Sequence, residues 1–326
     1  MVWLEFTVCG VLMIFSAHAL CVKGVGLARA AHIEESVIGI FFLAVATSFP
    51  EIAVGVSSVS YVGRFSLGYG NLLGSVMINS MLLLAIDFSS GRGRVLANVT
   101  GTNFTTAVFL GIAALIIALT ALLGKVLSLA LPGPVGFESV LIAAFYFAYL
   151  NSLKKKVLPG GSVTAGASRR ETALWPVWAA FLSLVLVVAV LGVWMANIGE
   201  KLAVTTGLSH TFVGATLLAL ITSFPEIVVS LAAVKTGAVQ MAVGNVLGSN
   251  LFDLSVLPVL DLFTKSPALG TLTAGQIAVA GIALLISLIT LAGMKIRSRF
   301  PVRAGLDTAL IFASGVCGLA ILFFVK

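Results

Sequence analysis

Thr47-Ser48-Phe49-Pro50-Glu51 recurs as Thr222-Ser223-Phe224-Pro225-Glu226, each time inside a stretch apolar enough to cross a bilayer. An ionised glutamate at the bilayer centre costs roughly 2.5–3.5 kcal/mol on insertion scales. Two such costs at matched positions point to a site that handles charge. Aligning residues 44–59 with 219–234 gives nine identities in sixteen positions, and the polar residues among them carry the argument. A second block follows in each half, Gly70-Asn71-Leu72-Leu73-Gly74-Ser75 and Gly244-Asn245-Val246-Leu247-Gly248-Ser249. The first half has one extra residue between its blocks, which falls in a turn near Tyr61 to Phe65.

The rest of the chain fits a membrane setting. Of its 326 residues 60% are hydrophobic and 10% charged, with a mean hydropathy of +1.15. That composition excludes a soluble globular domain and predicts an all-α polytopic membrane protein. Segments of about 20 apolar residues, enough to span a ~30 Å hydrocarbon core, fall at 3–22, 36–60, 66–86, 105–124, 130–150, 173–196, 209–234, 238–261, 272–292 and 304–325. These predict ten transmembrane helices. With loops assigned alternately to two sides, fourteen of the 19 Lys and Arg residues fall together, among them Lys154, Lys155, Lys156, Arg169 and Arg170. The positive-inside rule then places the 152–172 loop in the cytoplasm and both termini outside a cell membrane. The net charge of +7 thus reports topology and not nucleic-acid binding.

Several alternatives lack their apparatus. Ala17-His18-Ala19 imitates a signal-peptide cleavage site, yet no Lys or Arg precedes Val22, so the basic leader region is missing. Cys9, Cys21 and Cys317 have no ligand spacing and read as core thiols. No HExxH, GxSxG or Gly-rich phosphate loop is present, so the chain does not read as an enzyme, and no cofactor is implied.

Each half holds five predicted helices, residues 1–151 and 173–326, joined by the basic linker 152–172, with the motif pair on its second and third helices. Five is odd, so the second half enters the membrane from the opposite side. This is the inverted-repeat plan, in which two copies of a polar motif meet near the midplane. On a helix Ala44, Thr47, Ser48 and Glu51 share a face, as do Ala219, Thr222, Ser223 and Glu226. Pro50 and Pro225 lack an amide hydrogen and free the carbonyls four residues back, at Ala46 and Ile221, which predicts broken helices 2 and 7. Carbonyls, hydroxyls and carboxylates are hard oxygen ligands, suited to Ca²⁺ and by the same electrostatics to Na⁺. Asn71, Ser75 and Asn79 form a stripe spaced by four, matched by Asn245, Ser249 and Asp253. Asp253 reads either as an ionic ligand or as a protonated partner of its neighbours. Asp87 and Asp261 correspond between the halves at predicted helix ends and read as interfacial; His18, His32 and His210 have no counterparts.

In these motifs the sequence resembles the sodium/calcium exchanger family of the cation/calcium antiporter superfamily, prokaryotic type. The resemblance implies Glu51 and Glu226 as central Ca²⁺ ligands and backbone carbonyls of Thr47 and Thr222 beside them. Ala44, Ser48, Ser75, Ala219, Ser223 and Ser249 would help form flanking Na⁺ sites, and Asn79 and Asp253 would complete the centre. Departures from the family pattern are Ala46 and Ile221, where Gly is usual, and Val76, opposite the retained Asn250. The expectation is an antiporter whose partners are Na⁺, Ca²⁺ and the lipid bilayer, with no protein partner evident. A Ca²⁺/H⁺ antiporter is the nearest rival, and a cation channel a more distant one.

Overall fold

The computed structural model describes residues 1–30, 43–91, 95–127, 135–157, 175–264, 272–295 and 305–324. The start of the 36–60 segment, His32 and most of the 152–172 linker lie outside them. All regular elements among the described residues are helical. In chain order they are α1 (Val2–Ala30), α2 (Ala44–Thr47), α3 (Phe49–Ser60), α4 (Phe65–Ser90), a 3₁₀ turn (Val95–Asn98), α5 (Gly101–Leu127), α6 (Phe137–Val157), α7 (Trp175–Thr206), α8 (His210–Val213), a π turn (Gly214–Leu218), α9 (Ala219–Thr222), α10 (Phe224–Lys235), α11 (Val239–Asp261), α12 (Ala274–Lys295) and α13 (Leu306–Phe324).

Seven of these, α1, α4, α5, α7, α11, α12 and α13, are long and apolar enough to cross a membrane. The pair His210–Thr222 and Phe224–Lys235 makes an eighth span bent by 42°, and α6 contains a shorter apolar stretch, Phe137–Leu153. Helices α1 and α7 run beyond the segments 3–22 and 173–196 because hydropathy marks only the part that wants lipid, while the backbone ladder continues past it.

The two Pro-Glu segments break in the same way. Ser48 (φ −81°, ψ 5°) ends α2 and opens α3; Ser223 (φ −81°, ψ 0°) stands between α9 and α10. Each proline then occupies the first turn of the following helix, where a missing amide hydrogen costs least. The chain bends at the serine without unwinding, since Ser48 N still donates to Ala44 O (3.0 Å) and Ile52 N to Ser48 O (3.1 Å).

Helices α4 and α11 cross at the centre and are the most enclosed; α1 and α7 pair at the edge. Around the centre, α5 packs on α11 and α12, α13 on α4 and α12, α6 on α11 and α5, and α3 on α4 and α7. The arm from α8 through the π turn lies against α4 at backbone distance: a Cβ on Gly74 would sit 2.4 Å from Ala215 Cα, and one on Gly70 2.6 Å from Thr211 O.

Polar staples tie the helix ends. Thr100 Oγ1 accepts from Asn103 N (3.2 Å), and Asn103 Nδ2 donates to Gln240 O (3.0 Å) at the start of α11. Thr273 Oγ1 accepts from Gln276 N (3.4 Å), and Gln276 Nε2 donates to Ser66 Oγ (3.4 Å) at the start of α4. At the other ends, Asp87 accepts from Val95 N (2.7 Å), Gly305 N (2.7 Å) and Thr308 Oγ1 (2.9 Å), while Asp261 accepts from Ser139 Oγ. Both carboxylates, at the helix ends where the sequence puts them, are fully buried, and neighbouring segments of the same chain supply their donors. Cys9 is buried as expected, but Cys317 faces outward from α13.

The Gly74 contact leaves no room for a methyl group against backbone. Gly74→Ala is expected to destabilise the protein by about 1–3 kcal/mol, measured as a lower unfolding midpoint in detergent.

Candidate cation site

The bends at Ser48 and Ser223 bring both Pro-Glu segments against the α4–α11 crossing. All ten polar candidates, Thr47, Ser48, Glu51, Ser75, Asn79, Thr222, Ser223, Glu226, Ser249 and Asp253, are completely buried, and Ala44 and Ala219 lie beside them.

Their hydrogen bonds cross between the halves. Glu51 Oε1 accepts from Ser75 Oγ (3.3 Å) of its own half and from Ser223 Oγ (3.2 Å) of the other. Glu226 Oε1 accepts from Ser249 Oγ (3.2 Å) and from Ser48 Oγ (3.3 Å). The threonines close the ring, Thr47 Oγ1 with Ser249 Oγ at 3.2 Å and Thr222 Oγ1 with Ser75 Oγ at 3.4 Å. Each carboxylate is therefore held by one serine from each half, and the second oxygen of each, Oε2, has no hydrogen-bond partner in the protein.

Asn79 and Asp253 are brought to the site but not into this ring. Neither side chain has a protein hydrogen-bond partner although both are buried. Asp253 lies near enough to Glu226 and Glu51 for their charges to repel. The buried oxygens of Glu51, Glu226, Asn79 and Asp253 are thus left with unmet demand for positive charge, the condition under which a dehydrated cation is stabilised. The Ala44 and Ala219 carbonyls are engaged inside their own helices, accepting from Ser48 N and Thr47 Oγ1 (3.2 Å) and from Ser223 N and Thr222 Oγ1 (3.3 Å). Among the described residues no three His, Cys, Asp or Glu side chains converge as a resident metal centre, so a cation here would rest on paired glutamates with hydroxyls around them.

Three asparagines of the motifs make pairings that the motifs did not show. Asn71 Nδ2 donates to the Glu51 carbonyl (3.3 Å) and its Oδ1 accepts from Thr222 Oγ1 (3.3 Å). Asn245 donates to Ser230 Oγ (3.0 Å), and Asn250, the residue opposite Val76, donates to Ser80 Oγ (2.8 Å). Only the polarity of Ser80 and Ser230 within apolar helices could have signalled the last two.

The family model described as sodium/calcium exchanger protein matches residues 1–153 and 176–325. The chain belongs to the sodium/calcium exchanger family. It is a multi-pass membrane exchanger of the cation/Ca²⁺ antiporter class, a transporter and not an enzyme by family. An uncharacterised membrane protein of Methanocaldococcus jannaschii is 27% identical over 248 residues, 74% of this exchanger and 75% of that protein. Among solved structures, the sodium-calcium exchanger NCX_Mj soaked with Na⁺ and Sr²⁺ matches with a TM-score of 0.61 at 23% identity, over 98% of this exchanger and 99% of that chain. The H⁺/Ca²⁺ exchanger CAX matches with a TM-score of 0.69 at 15% identity, over 99% and 86%. At these identities the likeness is one of fold.

Asp87 joins three segments of the exchanger away from the ring. Asp87→Ala leaves three donors without their acceptor and is expected to cost about 3 kcal/mol of stability. Thermal unfolding in detergent reads the loss, and the ion preference of the folded fraction should stay unchanged.

Proposed function

We propose that this exchanger is a secondary active antiporter that moves Na⁺ against Ca²⁺ through one site centred on Glu51 and Glu226. The crossed serine contacts carry the reading: each carboxylate is completed only by a hydroxyl from the other half. The side-chain oxygens of Thr47, Ser48, Ser75, Thr222, Ser223 and Ser249, with Asn79 and Asp253, would surround the ions, and Ala44 and Ala219 would add carbonyls once released from their helical bonds. Bound cations offset the repulsion between the two glutamates. Without them, moving the charged site across the barrier is costly, and that cost ties one ion's passage to the other's.

The architecture in this reading is ten spans in two inverted repeats, residues 1–151 and 173–326, with the cytoplasmic linker 152–172 between them and both termini outside. The helix contacts support it, because they survive exchange of the halves: α13 packs on α4 as α6 packs on α11, and α5 on α11 as α12 on α4. The end staples do the same, Asp87 with Thr308 as Asp261 with Ser139, and Asn103 with Gln240 as Gln276 with Ser66.

A Ca²⁺/H⁺ antiporter could use the same carboxylates as proton carriers, and the partnerless Asp253 favours that second reading. Six hydroxyl-bearing residues around the glutamates favour Na⁺, since a hydroxyl oxygen offers a lone pair to a metal cation and is superfluous to a proton held on a carboxyl group. Proteoliposomes with a Na⁺ gradient at fixed pH are expected to accumulate Ca²⁺, and a pH gradient without Na⁺ is not; the opposite pattern selects the proton antiporter. Glu51→Gln and Glu226→Gln should each abolish the Na⁺-driven uptake while the protein stays folded by size-exclusion chromatography. Undiminished flux in both would remove the site.

A further inference from the structure

The two halves of the site reciprocate the serine–carboxylate and serine–threonine contacts, but beyond the Asn79/Asp253 mismatch they differ in what one matched asparagine pair does. Asn71 bridges the Glu51 carbonyl and the Thr222 hydroxyl (both 3.3 Å). Its counterpart Asn245 makes neither of the equivalent bonds, to the Glu226 carbonyl and the Thr47 hydroxyl. Instead it donates to Ser230 Oγ at 3.0 Å, and its Oδ1 has no partner although the residue is fully buried. Thr47 meanwhile turns its hydroxyl to Leu43 O (2.9 Å) and Ala44 O (3.2 Å).

The difference has a basis in sequence. Ser230 follows Glu226 by one helical turn, so a side chain resting on Ser230 lies beside the Glu226 carbonyl. The residue matching Ser230 in the first half is Gly55, which offers Asn71 no second partner. Asn71 lies in the first turns of α4 and Asn245 in the first turns of α11, which, if the two helices are antiparallel, places them on opposite sides of the glutamates. One side of the ring is bonded across, and the other is slack.

We propose that Asn71 and Asn245 form a reciprocal latch that sets which side of the site is closed. In the arrangement described here Asn71 ties α3 and α9 to α4, while Asn245 is parked on Ser230. In the arrangement reached by exchanging the roles of the halves, Asn245 takes the Glu226 carbonyl and the Thr47 hydroxyl, and Asn71 lets go. The carboxylate–serine ring is common to both arrangements, so the latch acts on access and on the Thr47 and Thr222 hydroxyls while the carboxylate–serine contacts stay in place. The inference rests on the antiport reading only in that the two arrangements face opposite sides of the membrane.

The test compares Asn71→Ala, Asn245→Ala and Ser230→Ala in the full chain. In ion-free detergent, hydrogen exchange followed by mass spectrometry should show Asn71→Ala loosening the segment around Thr222 and protecting that around Thr47, with Asn245→Ala giving the reverse. In right-side-out and inverted vesicles the apparent Ca²⁺ affinity should move in opposite directions on the two faces, by about three- to tenfold, and with opposite sign in the two variants. Ser230→Ala leaves both asparagines in place and should follow Asn71→Ala with a smaller shift, so a folding defect in either asparagine variant does not decide the outcome. Shifts of one sign on both faces, or no shift in Ser230→Ala, overturn the latch. If the wild type shows no Na⁺-driven Ca²⁺ flux while the exchange pattern stays reciprocal, only the coupling reading falls.

Discussion

Two carboxylates buried among apolar helices constrain everything around them. Their charge is tolerable only where oxygen-bound hydrogens and cations can meet it, so each glutamate has recruited donors from both halves of the chain. The bends at Ser48 and Ser223 serve that requirement, because they turn a serine toward the opposite glutamate while keeping the helical ladder connected. The glycine faces of α4 serve it too, by letting the second arm approach to backbone distance and bring Thr222 within reach of Ser75.

The frame that holds the ring is built from a different kind of contact. Asp87 and Asp261 anchor the ends of the two central helices, and the Asn103 and Gln276 amides anchor their beginnings. At these staples the Asp87 carboxylate meets three donors and both amide nitrogens donate, although Asn103 Oδ1 is left without a partner; the ring keeps unpartnered oxygens at Glu51, Glu226, Asn79 and Asp253. The helix ends thus carry most of the anchoring contacts, and the unpartnered carboxylate oxygens of Glu51, Glu226 and Asp253 gather at the helix crossing.

Much of this was legible in the amino-acid order. Thr-Ser-Phe-Pro-Glu stands out because polar residues are rare in an apolar background, and its duplication pointed to two copies that meet, as the crossed serine contacts show they do. Predicted boundaries at 209–234 and 238–261 agree with His210–Lys235 and Val239–Asp261. Other features were hidden for identifiable reasons. Thr100 with Asn103 and Thr273 with Gln276 resemble ordinary helix starts, and nothing local reveals that their amides reach a helix in the other half. Gly136-Phe137-Glu138-Ser139 repeats as Gly305-Leu306-Asp307-Thr308, but three conservative replacements in four residues conceal it. Asp87 and Asp261 lie where a span meets water by length alone, and only tertiary folding encloses them.

The crossed serines also bear on how the chain is made. Ser223 lies 172 residues after the glutamate it completes, so Glu51 enters the membrane long before its partner has been synthesised. The first half must therefore wait with a carboxylate lacking one of its two donors, whereas Glu226 arrives to find Ser48 already in place. The ribosome meets the two equivalent glutamates in unequal circumstances, and the earlier one has to be sheltered until the second half is inserted.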